Sequence, residues 1–98
     1  MSRRLLVRPE AEAEIAEAFD WYESRVVGLG ESFRLCLDAA LGAIVRNPLQ
    51  FPRVHSVVRC SLVRRFPYEI FFVDDAEQIA VLSVFHAKRN PKSWRKRI

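Results

Sequence analysis

His86 is followed closely by Lys88 and Arg89, and then by Trp94, Arg95, Lys96 and Arg97. These residue types suit work on a phosphate backbone. An imidazole near its pKa can take a proton from a ribose hydroxyl, an arginine fork can hold phosphate oxygens, and an indole offers a face for stacking. Arg59 and Arg65 lie six residues apart in a segment rich in β-branched residues. A period of two puts both on one face of a strand and Arg64 on the other, so the two arginines are expected to line up beside the basic C-terminal end. A lone histidine at a strand end is more often a hydrogen-bonded structural residue, and His55, at the start of a strand, is assigned no role. Charge follows the same division. Residues 1–50 hold six Lys/Arg against eight Asp/Glu, whereas residues 51–98 hold ten against four, so the positive field belongs to the second half.

Other chemistries lack their parts. The glycines Gly28, Gly30 and Gly42 form neither GxGxxG nor a phosphate loop, and GxSxG and HExxH are absent. Cys36 and Cys60 have no CxxC spacing and no histidine cluster, which argues against a disulfide framework or a zinc site. No metal and no cofactor is expected. The acidic residues Glu10, Glu14, Glu17 and Asp20 fall mostly outside the apolar stripe of the first helix, where a solvated role is expected. No apolar run is long enough to span a bilayer, and the stretch after Arg3-Arg4 is too short for a signal peptide. A cytoplasmic protein without membrane contact is the expectation.

The elements that position these residues can be read from periodicity. At 98 residues, with half of them apolar and 29% charged, one packed domain spanning 1–98 is expected. Residues 3–8 read as a short strand ended by Pro9, which is well placed to open a helix. Ala11, Ile15, Ala18, Phe19, Tyr22 and Val26 form a helical stripe. Gly28-Leu29-Gly30 breaks it, and Phe33, Leu37, Ala40, Leu41 and Ile44 begin another that ends at Asn47-Pro48. Residues 49–53 read as a loop. Residues 54–65, 68–73 and 79–86 read as three antiparallel strands, with Pro67 at the first bend and Asp74-Asp75-Ala76-Glu77 in the second. The order β-α-α-β-β-β specifies an α+β domain with a helical hairpin packed on an antiparallel sheet.

With that order in hand, four segments carry a family resemblance: FDWYESRVVGLGESF (19–33), NPLQFPRV (47–54), VRRFPYEIFFV (63–73) and VLSVFHAKRNPKSWR (81–95). The chain resembles the RelE/ParE family of toxins from bacterial type II toxin–antitoxin, or plasmid stabilisation, systems. The resemblance rests on Trp21-Tyr22-Glu23, Asn47-Pro48, Arg65-Phe66-Pro67-Tyr68 and His86-x-x-Arg89-x-Pro91-x-x-Trp94. It implies a small cytoplasmic toxin, neutralised by a cognate antitoxin in a hetero-oligomer. RelE-like members cut messenger RNA on the ribosome; Arg89 falls at one matching basic position, and for that activity the candidate catalytic residues here are Arg65, His86 and Arg89. Where those nucleases place a strand arginine this chain has Glu69, and where they place a tail tyrosine it has Trp94 or Arg95. An acid cannot neutralise a developing phosphorane, and an indole cannot exchange a phenolic proton.

The departures favour a ParE-like protein, whose family role is inhibition of DNA gyrase by binding rather than catalysis. The basic set Arg59, Arg65, Lys88, Arg89, Trp94, Arg95 and Arg97 is then the expected target surface. Trp21, off the main stripe, with Val27 and Leu29 at the hairpin turn, is the expected antitoxin surface. The alternatives are ribosome-dependent mRNA cleavage, with ribosome and mRNA as partners, and a degenerate member that retains only antitoxin binding.

Overall fold

The computed structural model describes residues 4–75 and 77–88. Strand β1 (Arg4–Val7) leads through Arg8 into helix α1 (Pro9–Arg25), where Pro9 takes the first helical position and Glu10 and Glu12 face the positive end of the helix dipole. Helix α2 (Leu29–Arg46) follows after three residues. Gly28 holds φ +90°, a left-handed conformation that costs glycine little, and lets the chain reverse. The opening of α2 has no side-chain cap of its own. Glu23 supplies one from the preceding helix, its two carboxylate oxygens accepting from the Gly28 and Gly30 amides at 2.8 and 3.0 Å. Gly30 is required by the close helix crossing, since a Cβ there would stand 2.8 Å from the Phe19 carbonyl oxygen.

Beyond a short 3-10 turn at Pro48–Gln50, the chain forms β2 (Arg53–His55), β3 (Val58–Leu62), β4 (Tyr68–Asp74) and β5 (Gln78–His86). The spatial order is β1-β5-β4-β3-β2. The helical hairpin carries the chain from one sheet edge to the other, and three reversals walk it back. The hairpin on a sheet in the expected order is present, with two refinements. The sheet is mixed, because β1 runs parallel to β5 while every other pair is antiparallel. The strand expected over residues 54–65 is two strands, broken at Ser56-Val57, where Ser56 holds φ 52° and His55 pairs with Val58. A run of valines on both sides of the turn conceals it in the sequence.

Ala11, Ala18, Tyr22, Phe33, Leu37 and Ile44 of the helices pack on Ile70, Phe72, Ile79, Val81 and Val84 of the sheet. The motif residues Tyr22, Phe66 and Tyr68 join Phe33 in an aromatic cluster, with Tyr22 to Phe66 at 5.0 Å and Phe33 to Tyr68 at 5.2 Å between centroids. Val58, Cys60, Phe71 and Leu82 form a second, smaller cluster on the alternate residues of the strands.

Candidate functional site

Two clefts flank the helical hairpin. The first, of about 480 Å³, lies between α1 and the sheet and is lined by Glu14, Glu17, Trp21, Tyr68, His86 and Lys88 among others. Its construction starts with a β-bulge. The β4–β5 register shifts between Phe71 and Phe72, and the extra residue in β5 leaves groups that the ladder does not pair. Glu14 meets them, its Oε1 accepting from the Ser83 hydroxyl at 2.9 Å and from the Val84 amide at 3.1 Å. This overturns the expectation of a solvated Glu14. The signal was present in the spacing, since Glu14 stands three residues after Ala11 and four before Ala18, on the stripe that packs inward.

His86 pairs with Tyr68 across the strands, the rings edge to face at 5.2 Å, and its Nδ1 accepts from the Lys88 amide at 3.1 Å. Those two contacts orient the ring. Tyr22, also on this cleft, has its pKa raised by burial and by the neighbouring Tyr68. Trp21 is 52% exposed, with its ring edge to face against Tyr22 and the Arg25 guanidinium 4.6 Å from its centroid.

The second cleft, of about 550 Å³, separates α2 from β3 and the turn that follows it. Ala39, Ala40, Ala43 and Phe51 supply an apolar floor, Leu35 and Leu62 an exposed rim, and Arg64 and Arg65 the charge. Arg65 was expected on a strand face with Arg59. It lies instead beyond the end of β3 with φ 72°, and Arg64 lines the same cleft rather than an opposite face. Arg59 remains in β3, where its Nη1 donates to the Phe51 carbonyl at 2.6 Å. Arg59 does not line that cleft, although Phe51, which holds its guanidinium, does, so the two arginines do not line up as the period of two implied.

His86 and Arg65 do not meet: they line separate clefts. Glu69, which occupies the strand position of an arginine in the nucleases, sits beside Cys60, whose thiol lies 3.5 Å from its Oε2. Burial, then the Glu69 carboxylate, push the Cys60 thiol up to about 12. Lys88 lines the first cleft near His86, while Arg89, Trp94, Arg95 and Arg97 lie outside the described residues. Of the expected antitoxin residues, Val27 is 91% exposed at the hairpin turn, whereas Leu29 is half-buried and packs on the main core. Among the described residues no group of three or more His, Cys, Asp or Glu could hold a metal, and no helix is long and apolar enough to cross a membrane.

A family model described as the ParE toxin of the type II toxin-antitoxin system, parDE, matches residues 5–91. The chain belongs to the ParE toxin family. It is 29% identical over 94 residues to Toxin ParE2 of two Mycobacterium tuberculosis strains, CDC 1551/Oshkosh and ATCC 25618/H37Rv, spanning 95% of this chain and 90% of theirs. A solved chain from the chromosomal ParDE TA system of P. aeruginosa superposes with a TM-score of 0.73 at 16% identity, covering 89% of this chain and 98% of the other. That likeness concerns the fold. Several residues on which the resemblance rests serve to build it: Tyr22, Phe66 and Tyr68 join the aromatic cluster, and Glu23 clamps the hairpin turn.

Proposed function

We propose that this type II toxin stops growth by binding DNA gyrase in the cytoplasm, without covalent chemistry of its own, and that a cognate antitoxin holds it inactive. The observation that carries this reading is the separation of His86 and Arg65 into different clefts. Cleavage of RNA needs a base and a phosphate-stabilising cation about one reacting group apart. Here the histidine shares its cleft with Glu14 and Glu17, Lys88 is the one cation among the described residues lining it, and the strand position that would add an arginine holds Glu69. Binding makes no such demand, because a recognition surface can spread over Arg59, Arg65, Lys88, Arg89, Trp94, Arg95 and Arg97. Exposed Trp21 and Val27, with Leu29 beneath them, are proposed to meet the antitoxin.

Purified toxin should inhibit gyrase supercoiling, and its controlled expression should give filamentation with a DNA-damage response. Charge reversal at Arg89, Arg95 and Arg97 should remove both effects. Untouched supercoiling together with ribosome-dependent cleavage of mRNA would replace this reading with the RelE-like one, and normal growth with retained antitoxin binding would mark a degenerate toxin.

A further inference from the structure

We propose that the arginines at the β2 end of the molecule form a site for the phosphate backbone of duplex DNA, so that the toxin itself holds DNA. The phosphate chemistry stands on the patch alone; the choice of DNA rests on the gyrase reading above, since supercoiling is done on a duplex.

The sequence supplies the first observation. Residues 39–68 carry Arg46, Arg53, Arg59, Arg64 and Arg65 and no Asp, Glu or Lys. The fold keeps that stretch together: it supplies the second half of α2, the 3-10 turn, the edge strand β2, β3 and the turn that follows. The carboxylates at its two borders are engaged elsewhere, Asp38 with Arg34 and Glu69 beside the Cys60 thiol. Among the described residues none of the five arginines forms an ion pair, and all but Arg59 are exposed. Arg53 and Arg59 stand directly opposite one another in the β2–β3 ladder, so their side chains leave one face of the sheet and repel. Like charges placed together without internal counter-charge make a local positive field that attracts an anionic partner.

Residue type and spread decide which anion. Every cation in the stretch is arginine, whose planar fork of donors meets two phosphate oxygens at once. The five are dispersed from a helix end along a sheet edge to a turn, rather than gathered round one point. Duplex DNA offers about one charge per 1.7 Å of its axis, so dispersed cations each find a phosphate, whereas a short acidic peptide answers only neighbouring ones. Asn47 and Ser56, exposed between the arginines, add uncharged donors of the kind that position a backbone. A single strand would need a ring to stack on, and the aromatics of the stretch, Phe51, Phe66 and Tyr68, pack on or within the main core.

The test is fluorescence anisotropy of a labelled, short, mixed-sequence DNA duplex with the purified full-length toxin, repeated over a range of salt. Arg53→Gln with Arg64→Gln should weaken binding about tenfold and lower the slope of log affinity against log salt by about two, because each phosphate contact contributes about 0.9. Both replaced side chains are exposed, and urea unfolding checks that the variant folds as the parent does. Arg34→Gln, whose guanidinium is already paired with Glu31 and Asp38, should stay within about twofold. Parent-like affinity and slope in the double variant would overturn the site, and so would the absence of duplex binding by the parent at low salt. Equal affinity for an RNA duplex would overturn the choice of DNA. Loss of binding to a polyglutamate peptide in the double variant, with the duplex held as by the parent, would make this a face for acidic protein instead. Supercoiling inhibited by a toxin that never binds the free duplex would strike the DNA site and leave the gyrase reading, whereas duplex binding through the patch with supercoiling untouched would strike the gyrase reading and leave the phosphate site.

Discussion

In the α1 cleft the carboxylate of Glu14 accepts two hydrogen bonds from β5, Arg25 lies over the ring of Trp21, and His86 is fixed between Tyr68 and the Lys88 amide. In the α2 cleft Arg64 and Arg65 lie exposed beside an apolar floor, and among the described residues neither forms an ion pair or a side-chain hydrogen bond. The two clefts are of similar size and are built on the same helical hairpin. Their difference separates polar groups used to hold the fold from polar groups left over after folding. The first kind should report on stability and the second on binding.

The largest effect on stability should come from Glu14. Replacement by Ala leaves the Ser83 hydroxyl and the Val84 amide without their acceptor at the bulge, and Ser83 is fully buried. A loss of about 2 kcal/mol is expected in urea unfolding, the scale of hydrogen bonds to a charged acceptor. Glu14→Gln should recover most of it, because the amide oxygen can accept the same two bonds. If Glu14→Ala unfolds at the parent denaturant concentration, the α1 cleft is not a structural device, and its carboxylate belongs with the unanswered charges of the other cleft.

The cysteines sharpen the comparison chemically. Cys36 is partly exposed and lines the α2 cleft, whereas Cys60 is buried and its thiol is pushed up to about 12. At neutral to mildly alkaline pH, iodoacetamide should label Cys36 more than about tenfold faster, because only an accessible thiolate reacts. Cys60 also gives a pH dependence whose sign follows from its direction of shift. From the ordinary value of 9.0 upward the unfolded chain ionises this thiol while the folded chain resists until about 12. Its contribution to stability is therefore complete below pH 9 and declines as pH rises through that window. A Cys60→Ala variant whose stability falls just as steeply with alkaline pH would assign the decline to other groups.

What the sequence conveyed was the part governed by period and punctuation. The two helical stripes, the break at Gly28-Leu29-Gly30, the stop at Asn47-Pro48 and the last two strands all match the structure, because apolar spacing and Gly/Pro signals are local. The parallel pairing of β1 with β5 was hidden, since it joins residues more than seventy positions apart. Ser56-Val57 was hidden for a different reason: a two-residue turn with no glycine lies inside a run of β-branched residues. The arginines were misplaced because β3 ends at Leu62 rather than running on to Arg65. Arg64 and Arg65, taken as opposite faces of a long strand, lie beyond its end and share a cleft. The candidate site was thus legible in its residue types and not in its grouping. Glu14 shows the converse, a charged residue set aside as solvated although its position on the stripe placed it inward.

Arg64→Ala should give the smallest change in stability, and it tests the comparison from the other side. Arg64 is exposed, lies in a turn, and among the described residues forms no ion pair or hydrogen bond that folding would forfeit. Truncation at such a site normally stays within about 0.5 kcal/mol. A small gain is physically reasonable, because removing one cation reduces repulsion from the adjacent Arg65 in the same cleft. Denaturant unfolding of the isolated toxin should therefore be unchanged or slightly improved. A loss of about 2 kcal/mol in the isolated toxin, comparable with Glu14→Ala, would mean that the arginines of the α2 cleft are already answered within the fold. The distinction between the two clefts would then disappear, because a charge that stabilises the free protein is not one left over for a partner.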